Sequence, residues 1–224
     1  PTRRSSDLKA VRMYGKNDLR LEEFELPQMK EDEVLVKVMS DSICMSTYKL
    51  VAQGKKHKRA PQNIDTNPVI VGHECSGIIV EVGEKWKNQF RPGQKFSLQP
   101  ALNYQGKLDS PGYSYEFCGG ACTYCIMPHE VMELGCLLDY TGESFFEASL
   151  GEPMSCIIGG YHANYHTNKK NYGHAMGTKE DGNILIMGGC GPMGLGAVSY
   201  GLQFENKPRR IVVTDISDDR IQRA

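Results

Sequence analysis

The sequence predicts a mixed α/β protein in two parts. Residues 9–150 read as a β-rich domain, and residues 151–224 as the opening of a domain that alternates strands and helices. Three observations carry this reading. Short alternating or β-branched runs, punctuated by Gly and Pro, fill the chain from Lys9 to about Tyr140. From Thr141, apolar residues recur at helical spacing. A buried strand, a glycine-rich turn, a helix and a second strand then follow in order, which is a βαβ unit.

The leader "PTRRSSDL", residues 1–8, is read as having no initiator Met, no periodicity and no apolar content, and so as non-native or disordered. "KAVRMY", "LRLEEFEL" and "VLVKVMS" are strands by alternation. "GHECSGIIVEVG" is a longer strand between glycines, and "PGQKFSLQP" is a turn leading into a strand. "GGACTYCIMP" also reads as a strand. "GESFFEASLGEPMSCIIGGYHANYH" reads as helix, and the polar "TNKKNYGHAMGTKEDG" as a surface loop. "NILIM" and "RIVVTD" are strands flanking the helix "GPMGLGAVSYGLQF". The last residues, "SDDRIQRA", begin a further helix, so a longer protein is expected, and this 224-residue piece alone is expected to be poorly stable and inactive.

Composition excludes several classes. The net charge of −1 implies neither a nucleic-acid nor an acidic-lipid partner. No apolar run approaches the roughly 20 residues of a membrane helix. The eight cysteines are scattered and lack the density of a disulfide scaffold, which points to a reducing, cytoplasmic setting.

"GGCGPMG" places Gly189, Gly191 and Gly194 in a G-x-G-x-x-G array between a buried strand and a helix, with Pro192 and Met193 opening the helix. Gly189 permits a tight turn, Gly191 lets the backbone approach a pyrophosphate, and Gly194 lets helix and strand pack closely. The free N–H groups at the helix start favour phosphate. Asp215, about twenty residues on, is placed to accept from ribose hydroxyls and favours NAD(H) over NADP(H), with NADP(H) left open. Three further features are candidates to converge on a metal: Cys44 in "DSICMSTYK", His73 and Glu74 in "GHEC", and Glu152 in "GEPMSC". Thiolate, imidazole and carboxylate are all zinc ligands, and a catalytic zinc takes about three of them.

In this combination the chain resembles the zinc-dependent medium-chain alcohol dehydrogenases. The residues that carry the resemblance are "CMS", "GHECSGIIVEVG", "RPGQKF", "GGACTYCIMP", "EPMSC" and "ILIMGGCGPMGLGA", in family order from Lys9 to Ala224. Within the family it looks like the polyol dehydrogenases. "TNPVIVGHE", "PGYSYEFCGGA" and "NYH" resemble the L-sorbose-1-phosphate reductase group in particular. The resemblance implies a GroES-like β-barrel domain followed by a truncated Rossmann sheet, and hydride transfer between NAD(P)(H) and a polyol, ketose or sugar phosphate. Carried over, Cys44 and His73 are zinc ligands, Glu74 is a ligand or near-ligand, and Glu152 binds zinc or holds its water. Ser46 hydrogen-bonds the substrate hydroxyl and starts the proton relay. Thr47 and Lys49 stand where many relatives have Asp and His. The segment from Pro100 to Gly112 has no cysteine, so one catalytic zinc and no structural zinc are expected. The full-length protein is expected to be a homo-oligomer. Alternatives are an alcohol or threonine-type dehydrogenase, and a zinc-free nucleotide-binding protein of the same fold.

Cys118, Cys122 and Cys125 form a C-x3-C-x2-C array, a spacing also used for iron–sulfur clusters. On a strand, Cys122 and Cys125 face opposite sides, so the three thiols are not expected to converge. His162 and His166 are four apart on the expected helix and read as a solvated face. "GKKHKR" reads as a solvated loop or, alternatively, as a phosphate clamp through Lys55, Lys56, Lys58 and Arg59.

Overall fold

The computed structural model describes residues 8–168 and 170–223. Residues 1–7 of the expected leader lie outside the described residues. Leu8, grouped above with that leader, is buried against Ala10, Phe24 and Ile70, and its carbonyl accepts from Phe24 N–H. The chain divides into two compact units, Pro1–Glu152 and Pro153–Ala224.

In the first unit, β1 (Lys9–Gly15) and β2 (Asp18–Glu23) make a hairpin, and β3 (Val34–Ser42) leads into helix α1 (Met45–Gln53). The short β4 (Val69–Ile70) and the long β5 (Glu74–Val82) follow, then β6 (Lys95–Leu98), β7 (Tyr124–Met127), α2 (His129–Glu133), β8 (Leu137–Asp139) and α3 (Phe145–Ser149). One sheet has the order β2-β1-β4 and the other β7-β3-β5-β6-β8, every pairing antiparallel. A bridge between Ala10 and Cys122, with Val11 N–H donating to Ala121 O, joins them. The alternation read in the sequence puts Val34, Val36, Ile79, Phe96, Leu98 and Met127 into one core. Register then sets the site: Ser42 pairs with Glu74, so β3 leaves the sheet where β5 enters it.

Helix α4 (Gly151–His162) carries the chain into the second unit. There β9 (Tyr165–Asn168) and β10 (Gly173–Met176) form an antiparallel hairpin. β11 (Asn183–Met187), α5 (Pro192–Gln203) and β12 (Arg210–Thr214) form the expected βαβ unit, with the two strands parallel, and α6 (Asp218–Ile221) follows. Tyr161 ties α4 to α5 by donating to Ala197 O and packing edge-on against Tyr200.

Two expectations are corrected, and the geometry behind a third is revised. The polar stretch read as a loop contains the β9–β10 hairpin, whose strands are exposed along almost their whole length and so carry no apolar alternation. His162 and His166 do not share a helix: α4 ends at His162, and His166 lies on β9 with Nε2 2.9 Å from Gly177 O. The third concerns the cysteines. β7 begins only at Tyr124, and the chain bends on both sides of Cys122, whose N–H donates to Gly120 O. Alternation breaks there, and the Cys118 and Cys122 thiols both contact the Cys125 sulfur. That contact, then burial, pushes both thiols up. Each thus approaches Cys125 pairwise, but the three do not form a group close enough to share one metal ion.

Candidate active site

Cys44 caps the N-terminus of α1, its sulfur accepting from Ser46 N–H at 3.5 Å while the Ser46 hydroxyl lies 2.8 Å away. His73 ends the turn between β4 and β5, and Glu74 is the first residue of β5. Sγ of Cys44, a ring nitrogen of His73 and a carboxylate oxygen of Glu74 all lie within 4.8 Å of one another. Among the described residues this is the one such group of three or more metal-ligating side chains; Glu152 is outside it, and so is the cysteine triplet. A sulfur, a nitrogen and an oxygen donor at that separation need only small shifts to reach zinc bonding distances of about 2.0–2.3 Å.

The imidazole of His73 is only 3 % exposed. Its Nδ1 lies 3.4 Å from the Thr47 hydroxyl, and its Nε2 lies 3.4 Å from the Ser46 hydroxyl and 3.3 Å from the Tyr113 hydroxyl. Burial lowers its pKa and so favours the neutral ring, which is the metal-binding form. Burial raises the pKa of the Cys44 thiol, and the Glu74 carboxylate adds to this. Such a thiol ionises when a cation compensates it. Glu74 is gripped at two points. Its carboxylate accepts from the Ser42 hydroxyl, and its backbone N–H donates to Asp41 Oδ1 at 3.1 Å. Burial pushes the Asp41 carboxyl up to about 7.

The site opens into a cavity of about 290 Å³. Its polar lining is Ser46, His73, Tyr113, Glu152 and the run His57 to Arg59. The Tyr113 ring stacks on His57 at 5.6 Å and leans on His73 at 4.8 Å, and the Arg59 guanidinium sits 5.2 Å from its centre. Burial, then the charges of Arg59 and Lys58, lowers the His57 pKa. Of the four cations in the basic run, Lys58 and Arg59 reach the cavity, Lys56 does not line it, and Lys55 pairs with Asp65 at 2.8 Å. Lys49 is exposed. Sequence reasoning singled out neither Asp41, His57 nor Tyr113. An aspartate next to the end of a strand, three residues before Cys44, was the one available signal, for Asp41.

In the second unit, Gly189 N–H donates to Thr214 O, which locks the glycine turn to β12. The residue with a left-handed backbone is Gly188 at φ 62°, not Gly189, so the tight turn rests one position earlier than the fingerprint suggested. Gly189 is needed for space, since a Cβ there would meet Ile186 and Val213. A Cβ on Gly194 would overlap the Gly189 carbonyl, whereas Gly191 faces open space. Asp215 Oδ2 accepts from Cys190 N–H and Oδ1 from Ser217 N–H, both at 3.1 Å. These backbone donors lower its pKa. The carboxylate therefore also braces the loop.

Residues 30–138 match the alcohol dehydrogenase GroES-like domain. Beyond that domain the chain is similar to dehydrogenases and reductases that act on polyols and sugar phosphates, and three of these give the measure of the likeness. It is 53 % identical over 215 residues to mannitol-1-phosphate 5-dehydrogenase of Aliivibrio fischeri, covering 96 % of this chain and 51 % of that protein. It is 46 % identical over 215 residues to L-sorbose 1-phosphate reductase of Klebsiella pneumoniae, covering 96 % and 52 %. The crystal structure of 2R,3R-butanediol dehydrogenase from Bacillus subtilis superimposes with a TM-score of 0.72 at 25 % identity, covering 96 % of this chain and 60 % of that one. The chain spans about half the length of the curated relatives it matches. Among the described residues, no helix is long and apolar enough to cross a membrane.

Proposed function

We propose that this protein is a zinc- and nicotinamide-dependent oxidoreductase that interconverts a polyol phosphate and a ketose phosphate. The observation that supports it best is the sharing of one cavity by His73, Ser46 and Glu152 with the cationic run His57 to Arg59. The two relatives named for sugar-phosphate substrates point the same way.

In this reading Cys44, His73 and Glu74 hold one zinc, and Glu152 is a fourth ligand or holds a water beside it. Bound zinc would act as a Lewis acid on the substrate oxygen. Ser46 would hydrogen-bond the substrate hydroxyl and relay its proton, releasing its own hydroxyl proton toward solvent as it accepts the substrate's, and the hydride would go to the bound nicotinamide. Thr47 fixes the His73 ring, the role its 3.4 Å approach supports. Lys58 and Arg59 take the phosphate, because cations at a partly buried site make strong charge-assisted bonds. Lys55 and Lys56 contribute less, Lys55 because Asp65 already pairs with it. Gly189, Gly191, Pro192, Met193 and Gly194 would receive the pyrophosphate and Asp215 the ribose, which favours NAD(H). A cytoplasmic homo-oligomer is part of the proposal.

The test is turnover of a panel of ketose phosphates and free ketoses with NADH and NADPH. The reading expects reduction of a ketose phosphate with NADH. Turnover restricted to unphosphorylated alcohols would overturn the phosphate assignment, and no turnover of any alcohol or ketone would overturn the enzyme itself.

A further inference from the structure

Asp41 is a costly residue where it sits. A carboxylate largely withdrawn from water loses solvation that only good partners restore. The residue is the last but one of β3, paired with Cys75, and lies three positions before Cys44. Its Oδ1 accepts from the backbone N–H of Glu74. Its carboxyl is packed so closely against Gly72 and Gly120 that a Cβ on either would overlap its oxygens. Gly120 N–H in turn donates to Gly72 O, and Ala121 N–H to Val71 O. This carboxyl on β3 thus gathers two other segments: the turn from Gly72 into Glu74 at the start of β5, and the chain around Gly120.

We infer that Asp41 is a positioning residue that fixes the Glu74 backbone so that its carboxylate faces Cys44 and His73. The inference rests on the zinc reading of the site. Ser42 holds the other end of the same residue, its hydroxyl donating to the Glu74 carboxylate. Consecutive residues of β3 therefore hold Glu74 by main chain and side chain together. Asp41 itself is not in the group of candidate metal ligands. Its effect passes through Glu74, as outer partners commonly set ligand orientation.

The experiment is zinc affinity by chelator competition, with thermal unfolding of the metal-free proteins as control. It uses Asp41→Asn, Asp41→Ala, Glu74→Ala and the double variants. Asp41→Ala should weaken zinc about tenfold to a hundredfold. Asp41→Asn, which keeps the shape and can still accept, should weaken it less. In the Glu74→Ala background, either Asp41 change should have almost no further effect, because the residue acts through Glu74. An Asp41→Asn protein that folds like the parent remains informative if Asp41→Ala does not fold. Equal zinc affinity in parent and Asp41 variants would overturn the inference alone. A loss of the same size with and without Glu74 would also overturn it, since Asp41 would then be merely structural. A parent that binds no zinc would overturn the metal site and this inference with it.

Discussion

The Tyr113 hydroxyl lies 3.3 Å from Nε2 of His73, with the two rings 4.8 Å apart. The same ring stacks on His57 and lies near the Arg59 guanidinium. One buried side chain thus links the candidate metal ligand to the cationic run. Tyr113→Phe keeps the ring and removes only the hydroxyl, so it should cost about 1 kcal/mol in urea unfolding. Tyr113→Ala leaves a cavity and should cost about 3–5 kcal/mol. It should also raise KM for a phosphorylated substrate, because His57 and Arg59 lose their platform. Equal stability of all three proteins would contradict this role.

The cationic run is not uniform. Lys58→Ala and Arg59→Ala should each raise KM for the ketose phosphate by about tenfold or more, with a smaller change in kcat. Lys55→Ala should change KM less than threefold or so, since its partner Asp65 is on the surface and such pairs contribute little. Steady-state kinetics on the three variants checks this. An equal response at Lys55 and Arg59 would show a diffuse field in place of a contact.

His57 reports on the same place. Burial first, then Arg59 and Lys58, depresses its pKa below the ordinary value. The folded protein therefore binds less proton there than the unfolded chain, and this site contributes its stability as pH rises through the unfolded pKa near 6.5. A bound phosphate brings negative charge and should raise the His57 pKa. By linkage, phosphate should then bind more tightly as pH falls through that range. Titration of the His57 ring by NMR, with and without inorganic phosphate, measures both. An unmoved pKa in phosphate would place the anion elsewhere.

The second and third glycines of the fingerprint should separate on substitution. Gly194→Ala sets a methyl against the Gly189 carbonyl and should destabilise by about 1–3 kcal/mol. Gly191→Ala meets nothing in the fold, so stability should hold while NADH affinity drops. Unfolding curves and fluorescence titration with NADH distinguish the two. NADH bound normally by Gly191→Ala would remove the pyrophosphate from that loop.

Much of this was legible in the sequence, for identifiable reasons. The strands of the first unit bury one face, so Val34, Val36 and Phe96 announce themselves by alternation. The β11–α5–β12 unit was legible because a strand, a glycine turn and a helix follow in order, with Gly189 and Gly194 answering to close packing. Cys44, His73, Glu74 and Ser46 were each visible, but only the Ser42–Glu74 register brings them together. The β9–β10 hairpin was not legible, because exposed polar strands leave no period. The pairwise approach of Cys118 and Cys122 to Cys125 was not legible because the bend around Cys122 has no signature beyond two glycines. Tyr113 was hidden beside four aromatic or polar neighbours in "PGYSYEF", Ser114 to Phe117, with nothing to rank it.

The central claim is that Cys44, His73 and Glu74 form one metal centre. Metal analysis of the protein purified without added chelator, beside Cys44→Ser and His73→Ala, tests it most directly. The account expects about one zinc per chain in the parent and much less in each variant, with no iron and no visible colour. Zinc retained by both variants, iron in the parent, or no metal in any of them would contradict it.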